Sequence, residues 1–389
     1  MVIKKIVFFI ETQLTQRNFD RFGIAILKNN GFLVEIWNFG LALHPEIYRT
    51  KEETNPMKYK GCKVFTTVNE GLEEMNNLTE EVMVLMLVGY LYPAFRIYNE
   101  ISRKKIKYCN IKIGALPTAE AVYTKDAWNK LKGLTVKKSI NSIFCKMPFR
   151  LLGIKPAELV LTSGSGSIKT VGYPIDKTSK ILNIHSFDYD TYLQEKTNKY
   201  TKRDNIAVFL DECVPFHIDG IQLGLPYATK AEEYYPSLCR FFDFVEKKLG
   251  VKIIIAAHPT ANYEKNSDYF GGRETIKNST AKLVRESKFV ICHSSTSIGF
   301  AVLFKKPIVC ITTNPLENSW QRGMIHQMAS AFGKKPINID DGNFWDIKKE
   351  LEMQVNKYEE YCDRYIKKSG TEELPFWQIF SNYIKTEYK

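Results

Sequence analysis

Three short constellations in the second half of the chain carry residue types suited to proton transfer and anion binding. Asp211-Glu212-Cys213 directly follows the apolar run Ile206–Leu210. A carboxylate at a strand exit can take a proton from an attacking hydroxyl. Because adjacent carboxylates point in different directions, one of the two acids, Asp211 or Glu212, faces substrate. Glu212 and, further along the loop, His217 are accessory candidates. His258-Pro259 follows the run Lys252–Ala257. Proline holds the residue before it extended, which sets the imidazole at the strand exit, where it can neutralise or protonate a phosphate. His293-Ser294-Ser295-Thr296-Ser297 stands between an apolar run, Phe289–Cys292, and a helical pattern, Ile298–Phe304. Hydroxyls there can cap free backbone N–H groups, and the same helix start attracts a phosphate. Each motif alone has a plainer reading: an acidic turn, a common dipeptide, a helix cap. Together they follow three separate strands of one expected sheet, so they should converge on one edge.

The elements that would position them alternate. Strand patterns at Lys5–Ile10, Phe32–Trp37, Lys63–Thr66, Val82–Val88, Ile111–Gly114 and Leu159–Thr162 are interleaved with helical patterns such as Asn18–Asn29 and Ala94–Arg103. That order predicts parallel βαβ units. A second series starts at Ile206 after the polar stretch Gln194–Asp204, which reads as a linker. A chain of 389 residues has room for two domains. The expectation is an α/β protein with two Rossmann-like domains facing each other across a cleft: 1–200, then 201–372, with a terminal helix, 373–389, that could pack back on the first. Open α/β sheets bind ligands outside the carboxyl ends of their strands. Glu11 and Thr12, after the first strand, therefore lie where an acceptor is expected, and His185 and Asp188, after Ile181–Ile184, are lesser candidates.

No GxGxxG or Walker A lysine motif follows the first strand, where Glu11-Thr12-Gln13 stands instead, which weighs against dinucleotide and P-loop chemistry. The eight cysteines contain no Cys-x-x-Cys pair, so neither a zinc cage nor a disulfide framework is expected. Glu11 cuts the N-terminal apolar run too short for a secretory signal, which points to the cytoplasm.

In this order the three motifs resemble those of bacterial sialyltransferases and related 2-keto-sugar transferases of the two-Rossmann GT-B fold, which carry an acid–acid–Gly triplet, a His-Pro dipeptide and a paired Ser/Thr motif. Asp211-Glu212, His258-Pro259 and Ser294-Ser295 match in turn, with Cys213 at the triplet's glycine position. The resemblance implies a glycosyltransferase of surface polysaccharide, lipopolysaccharide or capsule synthesis. Its donor would be a CMP-activated acidic sugar of the sialic, other nonulosonic or Kdo type, with no metal or other cofactor. Asp211 would deprotonate the acceptor hydroxyl, while His258, Pro259 and His293 to Ser297 hold the CMP phosphate. Two other readings stand beside it: a transferase using a UDP- or GDP-sugar or CDP-glycerol, and a non-catalytic glycan- or nucleic-acid-binding protein on the same scaffold.

Charge is concentrated. Residues 103–155 hold thirteen basic side chains against two acids, Glu120 and Asp126, a net +11 within a chain of net +12. Nucleic-acid recognition modules are not evident there, so nucleic acid is a poor partner. Lysines mixed with Trp128, Leu131, Leu134, Ile140, Ile143, Phe144, Met147 and Phe149 suit interfacial helices instead. The expectation is peripheral contact with an anionic membrane, on its inner face, where a glycan or glycolipid acceptor would be met.

Overall fold

The computed structural model describes residues 2–50, 57–117, 136–167, 173–198, 205–216, 226–263, 268–342 and 346–389. The chain forms two compact units, one comprising Met1–Ile113, Trp128–Phe187 and Lys367–Lys389, the other Gly114–Ala127 and Asp188–Ile366.

The first unit is built on seven parallel strands: β1 (Lys5–Ile10), β2 (Leu33–Asn38), β3 (Cys62–Val64), β4 (Val82–Met86), β5 (Lys107–Lys112), β6 (Leu159–Ser163) and β7 (Lys180–Ile184), in the spatial order β3-β2-β1-β4-β5-β6-β7. The second has six: β8 (Ile206–Leu210), β9 (Lys252–Ala257), β10 (Thr275–Lys277), β11 (Val290–Cys292), β12 (Ile308–Thr312) and β13 (Ile337–Asn338), in the order β10-β9-β8-β11-β12-β13. Counted from its own first strand, each unit repeats the doubly wound order 3-2-1-4-5-6. Both expected Rossmann-like domains are present.

Parallel strands covered on both faces read as unbroken apolar runs. In β1, Ile6, Phe8 and Ile10 pack into one core cluster, while Val7 and Phe9 pack into another on the opposite face. The strand Ile206–Leu210 does the same in the second unit, with Ala207 and Phe209 on one face and Val208 and Leu210 on the other.

The structure moves several expected boundaries. The chain leaves the first unit at Phe187 and returns at Lys367, not at 200 and 373. The polar linker reading failed because the crossing lies at the start of a helix, Phe187–Thr197, whose residues serve two cores. Phe187 packs on Phe376 and Trp377, whereas Tyr189 is buried in the second unit and Tyr192 packs on Phe304. The expected helix 18–29 is two helices, Gln16–Arg21 and Ile24–Asn29, broken at Gly23 with φ +54°. A Cβ there would come within 2.0 Å of the Trp377 indole, so only glycine admits this contact. Strand β5 begins at Lys107, earlier than the apolar pattern suggests, because Asn110 and Lys112 are buried despite their polarity. The edge strands β10 and β13, three and two residues long, carry no pattern to find.

Candidate active site

The three motifs meet at the carboxyl edge of the second sheet. Strand β8 lies between β9 and β11, where the strand order reverses, and that switch point is where doubly wound sheets take their ligands. The residues after β8 contact those after both neighbours.

Asp211 is buried, at 4% exposure, and it faces inward. Its Oδ1 accepts from the Cys213 N–H at 2.8 Å. Its Oδ2 accepts from the His258 N–H at 3.0 Å and from the Tyr263 hydroxyl at 2.8 Å. All three donors belong to the protein, and they turn the carboxylate inward. The expectation that Asp211 faces the substrate is therefore corrected: it latches the β8 loop to the β9 loop. Cys213, the residue it bonds, has φ +50°. That left-handed conformation is one glycine adopts freely and a residue with a Cβ adopts at a cost.

Glu212 is the less buried of the two acids, and it reaches across to the loop after β11. Its Oε1 accepts from the Ser294 N–H at 2.7 Å and its Oε2 from the Ser294 hydroxyl at 3.1 Å. Burial pushes its pKa up to about 7, against the lowering effect of these bonds. A carboxyl poised near neutrality can take or give a proton under physiological conditions.

His258 is half-buried at the exit of β9. Its Nδ1 lies 2.8 Å from the Thr260 hydroxyl and accepts from the Thr260 N–H at 3.3 Å. In the neutral ring the proton therefore sits on Nε2. Pro259 is exposed beside it. His293, expected among the phosphate ligands, does not reach the edge. It is 1% exposed, its Nδ1 donates to the Ile311 carbonyl at 2.7 Å, and its Nε2 accepts from the Tyr234 hydroxyl at 2.8 Å. Desolvation lowers its pKa to about 4, so it is a neutral core histidine.

The hydroxyl run also differs from expectation. Ser294 is held by Glu212, and the helix that follows, Ile298–Leu303, has only six residues. Ser295, Thr296 and Ser297 are less buried, with the Ser295 hydroxyl accepting from the Ser297 N–H at 3.3 Å. These three, with His258 and Glu212, are the groups left at the edge. Tyr263 and Tyr234 were not anticipated. The two tyrosines sit among apolar neighbours and look like core, which they are, apart from their hydroxyls.

The other candidates lie in the first unit or at its border. Glu11 is half-buried after β1, with Oε2 3.2 Å from His44 Nε2 and Oε1 accepting from the Gly89 N–H at 3.2 Å. Thr12 is exposed, and its carbonyl accepts from Asn38. On the same sheet, the Asn110 amide is buried with no hydrogen-bond partner among the described residues, and burial lowers the Lys112 pKa to about 7. His185 is fully buried, with ring nitrogens 3.0 Å from the Ser186 carbonyl and 2.8 Å from the Leu374 carbonyl, so it pins the returning chain and does not face a ligand. Asp188 lies in the first turn of helix Phe187–Thr197. His217 lies outside the described residues.

No protein-family model matches the chain, and no curated protein matches it in sequence. Solved structures do. MnaA of S. aureus, in a structure with UDP, is 13% identical with a TM-score of 0.50, covering 98% of this chain and 94% of that one. A putative UDP-N-acetylglucosamine 2-epimerase from Listeria monocytogenes is 12% identical with a TM-score of 0.50, covering 99% and 95%. CalG4, the calicheamicin glycosyltransferase, is 9% identical with a TM-score of 0.49, covering 93% and 94%. At such identities the likeness to the two structures with TM-score 0.50 shows the fold alone, two Rossmann-like domains of the GT-B type. It supports that coarser part of the resemblance and not its sialyltransferase or Kdo part.

Proposed function

We propose that the chain is a metal-independent glycosyltransferase that uses a nucleotide-activated sugar, with Glu212 as the proton acceptor. The observation that carries this reading is Glu212 itself, a carboxyl raised to about 7 at the switch point of a doubly wound sheet, beside a hydroxyl-lined loop. Glu212 takes the proton from the acceptor hydroxyl as its oxygen bonds to the anomeric carbon, and the bond from that carbon to the nucleotide phosphate breaks. His258, protonated on Nε2, and the hydroxyls of Ser295 to Ser297 take up the charge on the departing phosphate. Asp211 holds the β8 and β9 loops in register for this.

The motif resemblance favours a CMP-activated acidic sugar, and a glycan or glycolipid in surface-polysaccharide synthesis as acceptor, met at the inner face of the cytoplasmic membrane. A second donor reading, a UDP-sugar, is favoured by the two structures with TM-score 0.50, whose names carry UDP or a UDP-sugar. Thermal shift against CMP, UDP, GDP and CDP decides between them: stabilisation by CMP alone supports the first, by UDP alone the second. Stabilisation by none of the four removes the nucleotide-sugar reading. Turnover is expected to survive EDTA, and its loss with recovery on adding a divalent cation would overturn the metal-independent mechanism.

A further inference from the structure

We propose that the first unit carries a membrane-inserting ridge, built from two separate elements and directed at anionic bilayers. One element is the helix Val136–Lys146 with the turn Phe149–Leu152 that follows. Its side facing the protein buries Phe144 against Tyr90, Tyr92 and Phe95, so Phe144 belongs to the core and not to the interface expected from sequence. On the adjoining face Ile140, Ile143 at 63% and Met147, just past the helix end, are exposed, as is Leu151 at 80% in the turn. The second element is the turn at Leu91-Tyr92, exposed at 37% and 54%, which docks beside the helix through the Tyr92 N–H bond to Asn141 Oδ1 at 3.0 Å.

Six large apolar side chains gathered on one surface need a covering partner. Charge identifies it. Residues 127–157 contain seven bases and no acid; Lys146, at the end of the helix, and Lys155, three residues after the turn, are exposed, as is Arg96 next to Phe95. Arg150 is tied to Asp176 at 2.5 Å. An apolar ridge in a segment with this excess of bases, only one of them paired with an acid in the described residues, matches a bilayer of anionic headgroups, into which the apolar side chains insert while the lysines remain at headgroup level. A water-facing protein partner would be expected to offer complementary acids and apolar surface in fixed register, a demand that a fluid bilayer does not make. No described helix is long and apolar enough to cross a membrane, so contact through this ridge is with one leaflet. The inference stands apart from the catalytic reading, since none of these residues belongs to the candidate site.

The test is flotation of the full chain with vesicles of neutral phosphatidylcholine and of phosphatidylcholine containing phosphatidylglycerol. Binding is expected to the anionic vesicles, with a fraction surviving salt that screens surface charge, because insertion is not screened. Ile143→Glu with Leu151→Glu should weaken that binding tenfold or more while leaving the melting temperature and nucleotide binding unchanged. The proposal is overturned if the parent chain floats with neither vesicle, or if the double variant binds like the parent. It is also overturned if the parent is a dimer in solution that the double variant splits without any effect on flotation, since the ridge would then be a self-interface.

Discussion

At positions 211 and 212 two neighbouring carboxylates have opposite environments, and substitution should separate their roles. Glu212→Gln keeps the shape and a partner for Ser294 but removes the proton acceptor. Its kcat is expected to fall 10²- to 10⁴-fold, the usual worth of a positioned base, with nucleotide binding retained. Asp211→Asn leaves three donors competing for one carbonyl oxygen. It should cost on the order of 2 kcal/mol or more in stability and weaken nucleotide binding together with turnover. Differential scanning fluorimetry beside initial rates distinguishes the two, and an Asp211→Asn protein of unchanged melting temperature would refute the latch. Cys213 gives a third readout. An L-residue in the left-handed region costs roughly 1–2 kcal/mol, and a β-branched side chain tolerates it worst. Cys213→Gly should therefore be near neutral, trading strain relief against the lost packing of a buried thiol. Cys213→Val, although more apolar, should melt clearly lower, and the reverse order would remove the strain argument.

The loops after β8 and β11 carry two groups, half-buried Glu212 and buried His293, whose ionisation acts on stability in opposite directions. Glu212 is raised from 4.5 to about 7, so the folded state binds its proton more tightly than the unfolded state does. Its contribution is fully present below pH 4.5 and is lost as pH rises to about 7. His293 is lowered from 6.5 to about 4, so its contribution is present above pH 6.5 and is lost as pH falls to about 4. Each amounts to at most roughly 3 kcal/mol. Between about pH 4.5 and 6.5 the two slopes oppose each other, and each variant should expose the other group. Relative to the parent, Glu212→Gln should gain stability as pH rises from 4.5 to 7, and His293→Gln should gain it as pH falls from 6.5 to 4, measured by urea midpoints across pH. Parallel curves for parent and variant would refute the corresponding shift. The same loops show what sequence could convey. Apolar runs placed β1, β8 and β9 at their observed limits because strands buried on both faces leave that signature. Strand exits then located Asp211, Glu212, His258 and Ser294 correctly at one edge. Side-chain direction was not legible: whether Asp211 or Glu212 turns inward depends on the Tyr263 hydroxyl 52 residues away and on a positive φ at Cys213. His293 was misread because its two partners, Tyr234 and the Ile311 carbonyl, are distant in sequence.

The two units share more than a strand order. In each, a glutamate after the first strand accepts from a backbone N–H after the fourth: Glu11 from Gly89 at 3.2 Å and Glu212 from Ser294 at 2.7 Å. The switch point of both sheets is thus occupied by an acid held across it, although no sequence repeat announces the correspondence. The units differ in how they are completed. The second has core clusters on both faces of its sheet from a nearly continuous stretch, Asp188–Ile366. The first needs the end of the chain: Phe376, Trp377, Ile379, Phe380 and Ile384 are all buried in its core, and Trp377 Nε1 donates to the Arg21 carbonyl at 2.6 Å. Five such side chains contribute on the order of 10 kcal/mol of apolar burial, as much as a typical domain's whole stability. A chain ending at Ile366 is therefore expected to unfold the first unit at 25 °C while the second keeps its fold and the nucleotide binding proposed for it. Calorimetry would show one transition where the full chain has two or a merged one, and hydrogen exchange would find protection in β8, β9 and β12 but not in β1 and β4. Retained protection in β1 would mean that the first sheet holds without its terminal helix, and that Gly23 is not kept open for Trp377 on grounds of stability.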